Sequence, residues 1–314
     1  MPGSARPFRF GVQTSKGGSA HEWRELARKV EALGYSTLYS PDHFVAQPLA
    51  PVVALTFAAE ATSTLRVGGL VFDNDYRHPA ILAKDMATLD LLSEGRVEMG
   101  IGAGWRRDDY AALGLPYDAP AVRVDRFEEA LAVIEGCFRG EPFSFTGKHY
   151  TITDYTSIPK PVQQPHPPLL IGAGGKRMLS IAARHADIVG VNPNLRSGVV
   201  GPDAVRDSLA AQTIKKIEWI REAAGDRFAS IELQYRAFVC AITDDAEGFA
   251  ANIGAAMGIE AADALESALM LAGTEAQVEE TILRRREELG LSYVVVGEDS
   301  FEALAPVVAR LAGI

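Results

Sequence analysis

The segment Ser40–Phe44, which reads SPDHF, places a carboxylate and an imidazole side by side after a short apolar run. An imidazole exchanges its proton near neutral pH, so His43 is a candidate proton donor or hydrogen-bond partner for a developing anion. The pair Asp42 and His43 could equally do no more than cap the next helix or satisfy a loop. The residues alone leave both interpretations open.

A second polar segment, Asp73–Pro79 (DNDYRHP), follows the next apolar run. Asn74 could face a ligand there, although N-D-x-x-x-P is also ordinary punctuation between a loop and a helix. Arg77 and His78 could hold an anion, but their place just before Pro79 favours a structural role. We expect them to fix the loop on the start of a helix.

Glycines cluster after the fourth apolar run, in Gly100–Trp105 (GIGAGW). Without side chains, Gly102 and Gly104 leave room for a flat ligand to approach the backbone, or they make a tight corner. Trp105 could stack on a ring or fill space beside an insertion. The sequence favours neither interpretation strongly.

A further glycine cluster, Ile171–Arg177 (IGAGGKR), opens a segment of helical periodicity. Glycines at a helix start expose unpaired N–H groups, and the helix dipole adds positive potential, which together suit a phosphate. Two cations, Lys176 and Arg177, oppose that dipole unless an anion lies beside them. The candidate phosphate ligands are Gly172, Gly174, Gly175 and Lys176. The alternative is a plain strand-to-helix turn.

Asn192 ends the next apolar run and could reach the edge of a ligand or serve as a turn residue. A phosphate site combined with glycine-walled strand ends favours a phosphorylated planar cofactor. The chain has no G-x-S-x-G or H-E-x-x-H motif, no phosphate-loop lysine motif and no histidine pair at metal spacing. We therefore expect no metal, and serine and metal hydrolysis are disfavoured.

Eight strand candidates must position these side chains, each followed by a helix candidate. The strands are predicted at Phe8–Gln13, Ser36–Ser40, Arg66–Phe72, Val97–Gly102, Pro168–Ala173, Ile188–Asn192, Ile231–Ala241 and Tyr293–Gly297. The helices are predicted at Ala20–Leu33, Ala50–Ser63, Pro79–Leu92, Val122–Phe138, Lys176–Arg184, Pro202–Ala224, Ala246–Met257, Glu275–Leu289 and Phe301–Leu311. This alternation predicts an α/β fold, a (β/α)8 TIM barrel formed by one domain over residues 1–314. A doubly wound sheet is the rival, but no G-x-G-x-x-G turn follows the first strand.

One stretch breaks the alternation, about residues 139–168 after the fourth strand. It is too long and too polar for a simple turn. We predict an insertion at the mouth of the barrel, made of a hairpin followed by an extended proline segment.

Composition limits the partners and the compartment. The formal charge of −10 argues against a nucleic-acid or anionic-membrane binder, and no apolar stretch is long enough to cross a bilayer. The chain has 2 cysteines and no visible targeting segment, so we expect a cytoplasmic protein without disulfides.

The chain resembles the bacterial luciferase-like superfamily of flavin and deazaflavin oxidoreductases along nearly its whole length. The segments that carry the resemblance are SPDHF at 40–44, RVGGLVFDNDYRHPAILAKDMATLDLLSEGRVEMGIGAGW at 66–105, RVDRFEEAL at 123–131, PPLLIGAGGKRMLSIAARHADIVGVN at 167–192 and GTEAQVEETILRRREELG at 273–290. The segment at 66–105 is highly specific. Within the superfamily the chain looks most like the branch that uses coenzyme F420.

The resemblance implies roles for particular residues. Asp42 and His43 would lie near the reactive edge of the cofactor ring. A bulge in the third strand, often with a non-prolyl cis peptide, would support the ring, and Leu70–Val71 is the matching bond, with Asn74 close by. The glycines after the fifth strand match the family's phosphate site, and family members are often dimers through their second and third helices.

One departure concerns the substrate. Sugar-phosphate dehydrogenases of this superfamily carry an acidic residue directly after the glycines of the fourth strand, where this chain has Trp105. Neither that acid role nor that substrate is carried over. The leading hypothesis is hydride transfer between F420 and a small organic substrate. The alternatives are an FMN-dependent luciferase-like monooxygenase and a barrel that binds a flavin or another ligand without turnover.

Overall fold

The computed structural model describes residues 6–45 and 47–314. Its strands are β1 (Arg9–Gln13), β2 (Thr37–Ser40), β3 (Arg66–Gly69), β4 (Phe72–Asp73), β5 (Val97–Gly102), β6 (Phe143–Thr146), β7 (Thr151–Tyr155), β8 (Leu169–Ala173), β9 (Ile188–Val191), β10 (Glu232–Ala237), β11 (Val239–Ile242), β12 (Met270–Gly273) and β13 (Leu291–Gly297). Its helices are α1 (Ala20–Ala32), α2 (Pro51–Ala61), α3 (Pro79–Leu92), α4 (Arg107–Leu113), α5 (Pro120–Arg139), α6 (Lys176–His185), α7 (Pro202–Arg206), α8 (Ala210–Ala224), α9 (Ala246–Met257), α10 (Ala261–Glu266), α11 (Glu275–Leu289) and α12 (Phe301–Leu311).

The main sheet is a closed parallel barrel, as predicted. Its segments run in the order β3-β2-β1-β13-β10-β9-β8-β5-β4, and an additional pairing of β3 with β5 closes the ring. Because β3 and β4 are two parts of one interrupted strand, the barrel has eight positions. Apolar side chains of the strands and of the surrounding helices form the main core between them.

Charged side chains close the amino end of the barrel. The fully buried carboxylate of Glu98 pairs with Arg9 and, at 2.8 Å, with Arg66, while Tyr39 donates its hydroxyl to it at 2.6 Å. Arg9 also pairs with Glu232 at 2.8 Å. Burial by itself would raise the pKa of Glu98, but the two guanidinium groups outweigh it and hold that pKa below its usual value. The open end of the barrel is therefore at the carboxyl ends of the strands, where TIM barrels carry their active sites.

Local signals explain several helix ends. Ser19 and Glu22 form a capping box at the start of α1. Pro79 occupies the first turn of α3, and His78 Nδ1 accepts the N–H of Ala80 at 3.2 Å, which confirms its structural role. In the described part of the chain, no helix is long and apolar enough to span a bilayer.

The structure corrects several of the predicted elements and adds others. The strand predicted at 231–241 is two strands, because β11 leaves the barrel after Phe238 and pairs with β12 instead. The helix predicted at 202–224 is divided into α7 and α8 around Asp207, whose carboxylate is held by Lys216 and by the Asn194 N–H. The prediction also missed the short helices α4 and α10, and it missed β12.

The insertion contains the predicted hairpin, formed by the antiparallel strands β6 and β7. Glu129 of α5 accepts the N–H groups of residues 148–150 at 2.8–3.1 Å, and this anchors the hairpin tip. Tyr150 of the tip reaches the mouth, where its hydroxyl lies 3.3 Å from Asn74 Nδ2. The prediction is wrong for the extended proline segment, which does not lie at the mouth. Gln163 of this segment donates hydrogen bonds to Asp90 and to the Val97 carbonyl, so the segment lies at the amino end of the barrel, where β8 begins.

Candidate active site

The interrupted third barrel strand shapes the centre of the mouth. The peptide bond Leu70–Val71 between β3 and β4 is cis, as the family resemblance implied. The Leu70 carbonyl accepts a hydrogen bond from the Gln13 side chain of β1. Leu70 and Val71 pack on the small apolar cluster inside the barrel. The bulge therefore presents an apolar surface at the open end.

Two of the predicted glycines border this surface. A Cβ atom at Gly102 would lie 2.9 Å from Val71 Cγ2, and one at Gly172 would lie 3.3 Å from Val71 Cγ1. The absence of side chains at these glycines therefore lets Val71 pack directly against the backbones of β5 and β8. A flat group is the shape that such a surface accommodates best.

Two buried amide side chains have atoms without a hydrogen-bond partner among the described residues. Asn74 is buried, and its Oδ1 has no hydrogen-bond partner among the described residues, while its Nδ2 contacts Tyr150. Gln234 of β10 is also buried, with both amide atoms unpaired in the same set of residues. Asn192 Nδ2 would lie 3.2 Å from a Cβ at Gly172. Such groups are costly to bury unpaired, so they fit a polar ligand edge.

The His43 ring is hydrogen-bonded to Asp109, a residue of α4. His43 Nδ1 lies 2.6 Å from Asp109 Oδ2, and Asp109 Oδ1 accepts the N–H groups of Phe44 and Val45 at 2.9 and 2.7 Å. The ring is 20% exposed and meets Trp105 edge-on, with centroids 5.6 Å apart. His43 Nε2 forms no hydrogen bond with any residue that the structure describes.

The pKa shifts of His43 and Asp109 determine which ring nitrogen of His43 carries the proton. Burial lowers the pKa of His43, and the Asp109 hydrogen bond and charge oppose that shift. For Asp109, burial would raise the pKa, but the N–H groups of Val45 and Phe44 and the His43 ring outweigh it and lower the pKa. A neutral His43 next to an ionised Asp109 carries its proton on Nδ1. Nε2 is then the atom free to accept a proton.

The environment of Asp42 is that of a structural carboxylate. Its oxygens form a two-pronged ion pair with Arg77, at 2.7 and 2.9 Å, and Oδ2 also accepts the Asp73 N–H at 2.9 Å. The Asp42 side chain is 2% exposed. These bonds tie the loop after β2 to the loop after β4. Arg77 thus fixes the loop, as its position in the sequence suggested.

The predicted phosphate site lies where β8 meets α6. Gly175 is the N-cap of α6 and provides no side-chain cap, so the first amides of this helix are left without one. Gly174 lies against a neighbouring loop, because a Cβ there would be 2.3 Å from the Pro193 carbonyl oxygen. Lys176 pairs with Glu222 at 3.4 Å, and Arg177 pairs with Asp125 and Glu128. Carboxylates thus already neutralise both cations without an anionic ligand.

Gly104 has a packing role rather than an open face. Its φ of +78° belongs to the left-handed region, and a Cβ there would lie 1.9 Å from the Tyr110 hydroxyl. Tyr110 also donates to Asp75 at 2.9 Å and lies 3.3 Å from the Asp73 carboxylate. Burial raises the pKa of Asp73 to about 8. A carboxyl with this pKa is largely protonated at neutral pH.

A cavity of about 330 Å³ opens on the β1, β13 and β10 side of the mouth. Its lining residues are Gln13, Ser15, Arg236, Phe238, Val239, Cys240, Gly297, Glu298, Asp299 and Ser300. Sequence reasoning missed Arg236 because the prediction placed it within a longer strand. It missed the role of Asp109 because α4 was not predicted, although the acidic residues after Trp105 were a visible signal.

The family model of the luciferase-like monooxygenases matches residues 3–282. The chain therefore belongs to the luciferase-like monooxygenase family. It is 30% identical over 195 residues to an FMNH(2)-dependent dimethylsulfone monooxygenase of Pseudomonas putida, which covers 60% of this chain and 53% of that protein. It is also 30% identical over 191 residues to an F420-dependent glucose-6-phosphate dehydrogenase of Microbacterium testaceum, covering 58% and 55%.

The matched segments thus span little more than half the length of these relatives. Among solved structures, the F420-dependent tetrahydromethanopterin reductase from Methanopyrus kandleri superposes with a TM-score of 0.79 at 20% identity, covering 98% of each chain. That likeness shows the same barrel fold. The names of the two curated relatives give FMNH(2) and F420 as the compounds on which those proteins depend.

Proposed function

We propose that this protein transfers a hydride between coenzyme F420 and a small organic substrate. One observation carries the proposal: the His43–Asp109 pair, with Nε2 unpartnered among the described residues, lies at the same open end as the glycine-bordered surface of Val71. The deazaflavin, when bound, supplies the site that accepts or donates the hydride. The chain then has to provide position and one proton.

The residues present fit such a cofactor. The apolar surface of Leu70 and Val71 would support the ring, and the orphaned Asn74 Oδ1 would accept a hydrogen bond from its polar edge. Gly102 and Gly172 would let Val71 take its place under the ring, and Asn192 would contact another edge of the ring.

The uncapped start of α6, at Gly174 and Gly175, would hold the phosphate. Helix N-termini bind anions through their free N–H groups and the helix dipole. Lys176 would assist only by exchanging its exposed partner Glu222 for the phosphate. Gly104 would shape the loop beside the site through its contact with Tyr110.

His43 would hold and move the proton. When a substrate alcohol is oxidised, its carbon loses a hydride and its hydroxyl loses a proton, which Nε2 accepts. Asp109 stabilises the imidazolium that forms. In the reverse direction Nε2 returns the proton to the carbonyl oxygen. Asp42 would be a positioning residue, because Arg77 and the Asp73 N–H occupy its oxygens.

A second candidate is an FMN-dependent monooxygenase. The likeness to the FMNH(2)-dependent dimethylsulfone monooxygenase favours it. The cofactor separates the two functions, because a deazaflavin has carbon in place of N5 and does not support oxygen insertion.

Anaerobic titration tests the proposal. We expect F420 to bind more tightly than FMN, with its fluorescence as the readout, and to change absorbance when a substrate is turned over. His43→Ala should reduce turnover by about two to four orders of magnitude while leaving F420 affinity unchanged. Tighter binding of FMN than of F420, with oxygen consumption in a parallel aerobic assay, would contradict the proposal.

We also propose a cytoplasmic homodimer. Helices α2 and α3 expose large apolar side chains that a partner copy would cover: Val53 is 61% exposed, Phe57 40%, Ile81 57% and Leu92 70%. Light scattering should give twice the mass of the chain. Replacing Ile81 and Leu92 by Lys should then yield a monomer.

A further inference from the structure

Arg236 lies at the carboxyl end of β10, on the wall of the 330 Å³ cavity. Its guanidinium forms no hydrogen bond and no ion pair with the residues that the structure describes, and its Nε is buried. Buried or half-buried arginines are normally paired, because an unpaired charge loses the solvation it had in water. The absence of a protein partner leaves the terminal N–H groups of Arg236 available to a ligand in the cavity.

Glu298, a carboxylate that lines this cavity, is already hydrogen-bonded to other groups. Glu298 Oε2 accepts hydrogen bonds from the Thr14 hydroxyl and from the N–H groups of Ser15 and Lys16, at 2.7 and 2.9 Å for the two amides. Glu298 thus holds the loop after β1, and its charge acts on Arg236 only from a distance. Asp299, the other acidic residue of the lining, is exposed to solvent.

An aromatic ring fixes the guanidinium from one side. Arg236 Cζ lies 4.1 Å from the centroid of the Phe238 ring, which is 50% exposed. Stacking leaves the in-plane N–H groups available, and these donate to a carboxylate in a two-pronged arrangement. Phe238, Val239 and Cys240 give the same cavity an apolar wall.

We propose that Arg236 binds the carboxylate of a small organic acid whose apolar part lies against Phe238. The inference rests on the proposed function in one respect, because it takes this acid to be the substrate of the proposed reaction, bound at the mouth of the barrel. The cavity is large enough for a compact aryl or alkyl acid. Burial lowers the pKa of Arg236 to about 10, so the guanidinium still carries its charge at neutral pH.

Benzoate and its neutral analogue benzamide are the probes, and calorimetric titration without cofactor is the measurement. The wild-type protein should bind benzoate about 10- to 100-fold more tightly than benzamide, because only the former makes charge-assisted hydrogen bonds. Arg236→Gln should remove that preference. Arg236→Lys should keep part of it, because lysine retains the charge but not the fork.

Arg221→Gln is the matched control. Arg221 also stacks on an aromatic ring, with Cζ 4.8 Å from the Phe228 centroid, but it lies in the last turn of α8 and outside the cavity. It should leave benzoate binding unchanged.

Several results would overturn the inference. Equal affinity of the wild-type protein for benzoate and benzamide would do so without any variant, even if Arg236→Gln failed to fold. Tighter binding of inorganic phosphate than of benzoate would replace the carboxylate by a phosphate. Loss of F420 or FMN affinity in Arg236→Gln, with benzoate binding intact, would assign Arg236 to the cofactor. A failure of F420 to bind the wild-type protein contradicts the proposed function alone.

Discussion

Asp109→Asn tests the chemistry of the His43 pair with little change in shape. The amide oxygen can still accept the N–H groups of Phe44 and Val45, which Asp109 Oδ1 holds at 2.9 and 2.7 Å, so the loop should keep its position. The substitution removes the negative charge of the Asp109 carboxylate, whose Oδ2 lies 2.6 Å from His43 Nδ1. An amide nitrogen at that place also cannot accept the Nδ1 proton.

The size of the effect follows from that bond. A hydrogen bond between charged groups contributes about 1.5–3 kcal/mol, and one pKa unit corresponds to about 1.36 kcal/mol. The carboxylate raises the pKa of His43 against the lowering by burial. Removing it should therefore lower that pKa by about one to two units and slow the proton-dependent step by about 10- to 100-fold.

The assay combines turnover and a direct titration. The limb of the pH–rate profile that reports His43 should move to lower pH by the same amount as the NMR titration of its ring proton. Asp108→Asn is the matched control, because Asp108 is the neighbouring carboxylate of α4 but is exposed. An unchanged limb in Asp109→Asn, or an equal shift in Asp108→Asn, would refute the role of the pair.

Three further perturbations have defined outcomes. Gly174→Ala should cost about 1–3 kcal/mol of unfolding free energy and weaken cofactor binding, because its Cβ would meet the Pro193 oxygen at 2.3 Å; urea unfolding and cofactor titration measure the two effects. Arg77→Gln should cost about 3–5 kcal/mol, because it leaves the buried Asp42 carboxylate without its cation; a loss below about 1 kcal/mol would contradict this. Burial raises the pKa of Asp73 to about 8. The protonated carboxyl therefore makes its full contribution to the free energy of unfolding below the pKa of the unfolded state, and this contribution is lost as the pH rises towards about 8. Between about pH 6 and about pH 8, urea unfolding should show the wild-type protein losing about 2 kcal/mol relative to Asp73→Asn, and parallel profiles would contradict the shift.

The barrel and the backbone of its mouth could be predicted from the sequence because their signals are local. Strand–helix alternation and the proline at position 79 each act within a few residues of their position. The cis bond at Leu70–Val71 was predicted only through the family resemblance, since no residue type at that place requires it.

The polar pairings were not predictable in the same way, because tertiary contacts decide them. His43 and Asp109 are 66 positions apart, and they meet only because α4 folds back over the loop after β2. Likewise, Lys176 and Arg177 suggested an anion by their place at a helix start, whereas carboxylates from α5 and α8 neutralise them in space. Arg236 gave no signal, since its lack of a partner is visible only once its neighbours are known.

Among the described residues, the ion pairs of Glu98 with Arg9 and Arg66 fill the amino end of the barrel and leave its carboxyl end open. A ligand bound deep in the barrel would then enter before a ligand bound near the opening, and would leave after it. An acid held at Arg236 and a ring seated on Val71 would both have to enter and leave through this end. We therefore expect an ordered kinetic mechanism, in which the cofactor binds before the acid.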